Sequence, residues 1–320
     1  MKKVWTLIAA AFVAIGMQAQ NNMTIATQKA NAAKEFLSSG DYSLAISGFK
    51  EALSLAEASG DEGLSLAAAC KSILPRAMRN LARKELNSKN FDGAINALKD
   101  VAEFCGSYGD LTAAADAKAL IPKILTQKAG SLLDAKQYEK AAEACKAALV
   151  DDPKNGLASL RLGMALEGMD NYWGAVDAYT AASENGQAAN AAKKLGRCYL
   201  LRAYDNLKAN DFNAAVKDAL ASNEYIPSPQ AIQIAGNASM MSGNRADAIK
   251  YYEKYLADAP AADNATQVAY VLGALYQENG DNAKALEFLN KALSDPKYGA
   301  DAKKAIDALN KAAKTTKKRR

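Results

Sequence analysis

The chain has 320 residues, half of them hydrophobic, and little aromatic or proline content. That is enough for one or two conventional domains or one long repeat array, and the Ala-rich composition favours close-packed helices over sheets. There is no histidine, which removes the commonest general base and a common zinc ligand together. The formal charge of +5 resides at the ends. Removing Lys2, Lys3 and the five cations from Lys314 onward takes 40 basic residues to 33, against 35 acidic ones. A near-neutral body of this kind does not call for nucleic acid as a partner.

In chain order, residues 1–19 read as an export signal. Lys2 and Lys3 precede an apolar run from Val4 to Gly16 that is too short to span a bilayer, and Met17, Gln18 and Ala19 form a cleavage site before Gln20. The short cationic start and the Ala19–Gln20 junction resemble those of secreted bacterial proteins of Bacteroidota, and the expectation is export, to the periplasm, the cell envelope or the outside of the cell, with no membrane span after cleavage. A polar lead at 20–23 precedes a helix starting near Thr24. From there, seven alanines hold one register: Ala45, Ala94, Ala141, Ala175, Ala215, Ala248 and Ala285. Each follows a polar turn residue by four positions, with gaps of 49, 47, 34, 40, 33 and 37. Twelve residues upstream a small residue stands in six copies: Ala33, Ala82, Ala129, Gly163, Gly236 and Gly273; in the fifth, Leu195, Gly196 and Tyr199 carry the pattern more than a turn earlier. A helix, a polar turn and a second helix recur at this spacing.

The small residue in the first helix, the alanine opening the second, the residue four on (Phe49, Tyr179 and Tyr252) and the closing prolines Pro153 and Pro260 resemble the tetratricopeptide repeat. The resemblance covers roughly Thr24 to Pro296, without the family's leading Trp. It implies an all-α, right-handed superhelical solenoid of tandem helix–turn–helix repeats over 24–299, closed by a capping helix at 300–313 and a disordered basic tail at 314–320. The first two gaps exceed 34 residues. Extra helical segments are therefore expected near 61–74 and 111–121, with Pro75 opening a new helix and Pro122 following the second segment. The fifth copy is long by six, and its first helix is expected to extend from about Ala189 to Ala209. Cys70, Cys105, Cys145 and Cys198 are widely spaced and read as buried apolar side chains.

No zinc, P-loop, serine-hydrolase, dinucleotide or calcium-loop signature occurs, so no cofactor, metal or catalytic residue is expected. In the resembled family the first helices line the concave, peptide-binding surface. On that face Arg76, Arg79, Asn80 and Arg83 share a stripe in the second repeat, and Lys193, Lys194 and Arg197 share one in the fifth, with Arg161 between. Met164, Met240 and Met241 add adaptable apolar contact. The expectation is a non-enzymatic scaffold binding an acidic or carboxylate-bearing protein segment. The family's chaperone clamp does not carry over cleanly: its lysine and asparagine positions hold Ala30 and Asn31, with Lys34 one turn on. Two alternatives remain at this level: a glycan- or peptidoglycan-associated envelope protein using Tyr199, Tyr204 and Tyr270, and an enzyme with an unrecognised site.

Overall fold

A computed structural model describes the backbone of residues 2–318 and the side chains of 18 and 20–314. The described residues are helical almost throughout, in fifteen α-helices: α1 (Lys2–Ser39), α2 (Tyr42–Ala58), α3 (Leu64–Asn87), α4 (Phe91–Ser107), α5 (Leu111–Asp134), α6 (Tyr138–Asp151), α7 (Gly156–Gly168), α8 (Tyr172–Ala182), α9 (Ala188–Lys208), α10 (Phe212–Tyr225), α11 (Pro229–Met241), α12 (Arg245–Asp258), α13 (Ala265–Glu278), α14 (Asn282–Lys291) and α15 (Gly299–Lys318). The fold is all-α, built of tandem tetratricopeptide-like helical hairpins. The chain forms two compact units, the first up to Ala135 with Glu143–Pro153, the second Lys136–Ala142 with Lys154 onward.

The hairpin turn has a local cause. In all seven, the residue before the second helix's N-cap is left-handed: Gly40, Lys89, Lys136, Asp170, Asn210, Gly243 and Gly280. In the first, second and fourth to seventh, the N-cap amide then bonds a carbonyl five residues back, as in Asn171 to Leu166 (2.9 Å) and Asp281 to Tyr276 (3.0 Å). This Schellman closure satisfies the dangling carbonyls of the first helix. The same Asn or Asp begins the second helix. Its side chain accepts from the amide three residues on at Asn90, Asn171, Asp211, Asn244 and Asp281. One polar residue thus ends a helix and starts the next.

The seven register alanines are each 0% exposed, and each amide makes the first helical bond to the N-cap carbonyl. The small residue upstream admits the bulk that follows. A Cβ on Gly163 would lie 2.5 Å from the Tyr179 ring, one on Gly236 2.8 Å from Tyr252, and one on Gly273 2.8 Å from Leu289. The second helix therefore rides directly on the first helix's backbone. In the first unit the core runs from Ala30 to Ile124, and the second has cores around Tyr179 and around Tyr252.

Four expectations are corrected. The segments near 61–74 and 111–121 are not separate helices. After a short 3-10 turn at Gly60–Gly63, α3 runs 24 residues with Pro75 inside it, and α5 runs 24 with Pro122 inside. Buried residues on both sides of each proline, Cys70 and Leu74 before Pro75 and Ala77 and Met78 after it, hold the helix against the missing amide bond. The helix expected near Thr24 begins at Lys2, so the polar lead lies inside α1. Residues of the expected export signal are the start of this helix, and the side chains of 1–17 and 19 are outside the described residues. The tail expected to be disordered continues α15 to Lys318, its Ala and Lys being good helix formers; Arg319 and Arg320 lie outside the described residues. No helix among the described residues is long and apolar enough to cross a membrane.

Candidate functional site

In the second unit, α9 is 21 residues long, against 13 for α7 and α11. Its N-terminal half packs beside α7, where Glu167 meets Lys194 and Arg197. Its C-terminal half pairs with α10 and α11. Gln230, in the first turn of α11, donates to the Tyr204 hydroxyl at 2.6 Å. This sets the start of α11 beside Tyr204, several residues beyond Lys193–Arg197. The first half of α9 thus has a first-helix neighbour on one side and lacks one on the other.

The result is a notch of about 550 Å³ lined by α7, α9 and the α10–α11 turn. Ala189, Gly196, Leu200 and Ile226 make its apolar surface, and Lys193, Lys194 and Arg197 its cationic rim. Ile226 lies over Gly196, whose absent Cβ would fall 2.7 Å from Ile226 Cγ1. The turn is held from within, since Ser222 Oγ donates to the Gly196 carbonyl at 2.8 Å. The end of α10 follows from its sequence: Ile226 is extended, and Pro227 and Pro229 prevent the helix from continuing.

One carboxylate faces this rim. Glu167 accepts from the Tyr179 hydroxyl at 2.7 Å, and Lys194 Nζ and Arg197 stand 3.6 and 3.4 Å from its oxygens. Burial, then the bond to Glu167, holds the Tyr179 phenol far above its ordinary range. Burial and the nearby Glu167 push the Cys198 thiol up to about 12. Both groups stay protonated at neutral pH, so the local charge is set by three cations and Glu167.

Across α9 from the notch, Asp218 is 2% exposed and bonded by Arg202 through Nε and a terminal nitrogen, each 3.1 Å, and by Asn206 at 2.8 Å. Burial pushes the Asp218 carboxyl up, while Arg202 pulls it back part of the way. The guanidinium also lies 5.4 Å from both the Trp173 and the Tyr199 rings. This clamp fixes the rotation of α9 and so the direction of its cations.

The structure brings Lys193, Lys194 and Arg197 together at the notch. Arg161, on α7, is half-buried and outside the notch lining. Arg76, Arg79 and Arg83 form an exposed stripe on α3 in the first unit, with Asn80 half-buried beside them. The cavity described in that unit, about 310 Å³, lies on α2 and α4 and is lined by Lys50, Glu57, Glu103 and Tyr108 among others. Of the tyrosines considered for sugars, Tyr199 stacks on Tyr225 (5.9 Å), Tyr270 stacks on Tyr298 (4.9 Å) and Tyr204 bonds Gln230. Glu167, Leu200 and Ile226 do not stand out in the sequence. The signal for Ile226 is the pair of prolines after it. Met240 lines a separate cavity of about 320 Å³ with Tyr270 and Leu275. Cys70, Cys105 and Cys198 are buried thiols, and Cys145 is fully buried. Among the described residues no His, Cys, Asp or Glu group could hold a metal ion.

A scan against protein-family models and a search of curated proteins each find no match. Among solved structures the chain is similar to a MamA protein, with TM-score 0.33, 23% identity, and 58% of this chain and 92% of that one covered. It is also similar to YrrB, described as a TPR protein with an unusual peptide-binding site (TM-score 0.37, 20% identity, 57% and 91% covered). The P58(IPK) TPR domain covers more of the chain (TM-score 0.32, 13% identity, 92% and 80% covered).

Proposed function

We propose that the protein is a non-enzymatic scaffold of the bacterial cell envelope, exported by its N-terminal segment, that binds a carboxylate-bearing segment of a partner protein at the α9 notch. The observation that carries this reading is the convergence of Lys193, Lys194 and Arg197 on one cavity with an apolar surface. A segment docking there gains charge complementarity at the rim and covers exposed hydrocarbon below it. The α3 stripe of Arg76, Arg79 and Arg83, with Asn80, is a weaker second contact, because the described cavity of its unit lies elsewhere. No cofactor enters this reading.

The test is affinity capture from an envelope extract with three baits: the parent, Lys193→Ser/Lys194→Ser/Arg197→Ser, and Arg76→Ser/Arg79→Ser/Arg83→Ser. The reading expects a protein retained by the parent and the α3 variant and lost by the α9 variant. Equal retention by all three removes the notch from the interaction. Loss only with the α3 variant moves the site to the first unit.

A further inference from the structure

We propose that the α9 notch is also a small-molecule site, whose ligand is a monocarboxylate with a compact hydrocarbon body. This goes beyond the partner-segment reading: it uses the same cations but does not require a protein ligand.

Lys194 and Arg197 approach Glu167 at 3.6 and 3.4 Å, longer than the roughly 2.7–2.9 Å of a tight charge-assisted bond. Tyr179 has the closer hold on that carboxylate, at 2.7 Å. Among the described residues Lys193 has no carboxylate within ion-pairing distance. Arg197 is 70% exposed along its side chain, so its guanidinium can turn toward an incoming anion. The rim therefore keeps positive charge to spare, and Glu167 opposes a ligand with several negative charges.

The apolar surface narrows the class further. Leu200 and Ile226 are half-buried and Ala189 is exposed, all lining the same cavity. Gly196 lets the wall lie close to the helix backbone. A small anion such as acetate leaves most of this hydrocarbon in water, whereas an attached alkyl body covers it. The volume of about 550 Å³ falls in the range of roughly 300–1,000 Å³ typical of small-molecule pockets. The notch also has a rigid frame: the Ser222 bond to the Gly196 carbonyl on one side and the Arg202–Asp218 clamp on the other. In this arrangement Glu167 is a specificity-determining residue. It repels multiply charged ligands, and its removal strengthens binding of a monocarboxylate.

The experiment is calorimetric titration of the full chain with octanoate, with 1-octanol as the uncharged body, with acetate as the bare head group, and with an amino-blocked hexapeptide of Gly and Leu whose one carboxylate is its free end. Octanoate is expected to bind one to one, at least tenfold more tightly than octanol or acetate. Lys194→Ser/Arg197→Ser is expected to weaken octanoate tenfold or more, Ile226→Ser severalfold, and Glu167→Gln to tighten it. Arg197→Ser alone carries the test if the double variant does not melt like the parent. Equal binding of octanol and octanoate, or octanoate binding unchanged by Arg197→Ser, overturns the proposal. If octanoate does not bind while the hexapeptide binds through the same cations, the small-molecule site is overturned and the partner-segment reading stands. If neither binds, both fall.

Discussion

The fifth hairpin, α9–α10, and the sixth and seventh, α11–α12 and α13–α14, keep the same alanine register and fill it differently. Three and four residues after the alanine the later hairpins carry Tyr251 and Tyr252, and Phe288 and Leu289, all buried. The fifth carries Asp218 and Ala219. Where the later pairs close by pressing a large apolar side chain onto a glycine, the fifth closes by a buried carboxylate gripped by Arg202 and Asn206. It is also the hairpin whose first helix overshoots its neighbour. Its polar closure and its extra turns occur together, and the notch lies where they leave α9 uncovered. Regular copies build the stack, and the irregular copy supplies a surface with chemistry on it.

The largest effect that could break this comparison is at the clamp. Asp218→Ala strands Arg202 and Asn206 and is expected to cost about 3 kcal/mol in urea unfolding. Combining Arg202→Met and Asn206→Leu with Asp218→Leu is expected to recover most of that loss, because it removes all three polar partners together and gives the fifth hairpin an apolar closure. A recovery that fails would mean the clamp specifies the hairpin rather than merely closing it.

Overpacking comes next. Gly236→Ala drives a Cβ into the Tyr252 ring and is expected to cost about 1–3 kcal/mol, as is Ala175→Leu in the fourth repeat. Gly196→Ala meets Ile226 Cγ1 at 2.7 Å and the Tyr225 Cβ at 3.1 Å, and is expected to cost a similar amount by pushing the α10–α11 turn off α9. A thermal melt unchanged by Gly236→Ala or by Gly196→Ala would contradict the close approach at that glycine.

Alkali sharpens the comparison from another side. Burial pushes the Tyr252 phenol up to about 12 from its ordinary 10.0. The raised value means the folded state holds the proton after the unfolded chain has released it. Tyr252 therefore contributes in full below pH 10, and the contribution is lost as pH rises toward 12. A rise of that size corresponds to about 3 kcal/mol at most. Melts between pH 8 and 11.5 are expected to fall more shallowly for Tyr252→Phe than for the parent. Parallel curves would contradict the assignment.

The smallest effect is at the caps. Asn171→Ala removes a side-chain bond to the Gly174 amide and is expected to cost ~1 kcal/mol. Asp41 makes no such bond, and Asp41→Ala is expected to change the melt by much less.

Much of the fold could be read in the sequence because it is local and periodic. Each register alanine found by spacing is fully buried, and Asp41, Asn90, Asn171, Asp211, Asn244 and Asp281 are N-caps. The prolines misled, since Pro75 and Pro122 look like helix boundaries and only the buried residues around them hold α3 and α5 continuous. The site was harder for a different reason. The spacing of Lys193, Lys194 and Arg197 places cations on a helix face, but what faces them depends on how far α11 is offset along α9. Glu167 arrives from the hairpin before and Ile226 from the turn after α10, and only packing brings them together. The stripe on α3 has the same sequence pattern, and the cavity of about 310 Å³ in its unit is lined by α2 and α4 instead.

The most direct measurement is fluorescence anisotropy of a dye-labelled hexapeptide whose one carboxylate is its free carboxyl end, titrated with the parent and with the two triple-serine variants in low and physiological salt. The account predicts binding that weakens with salt, persists when Arg76, Arg79 and Arg83 are replaced, and is lost when Lys193, Lys194 and Arg197 are replaced. Undiminished binding by the Lys193, Lys194 and Arg197 variant, with its fold intact by circular dichroism, would contradict it.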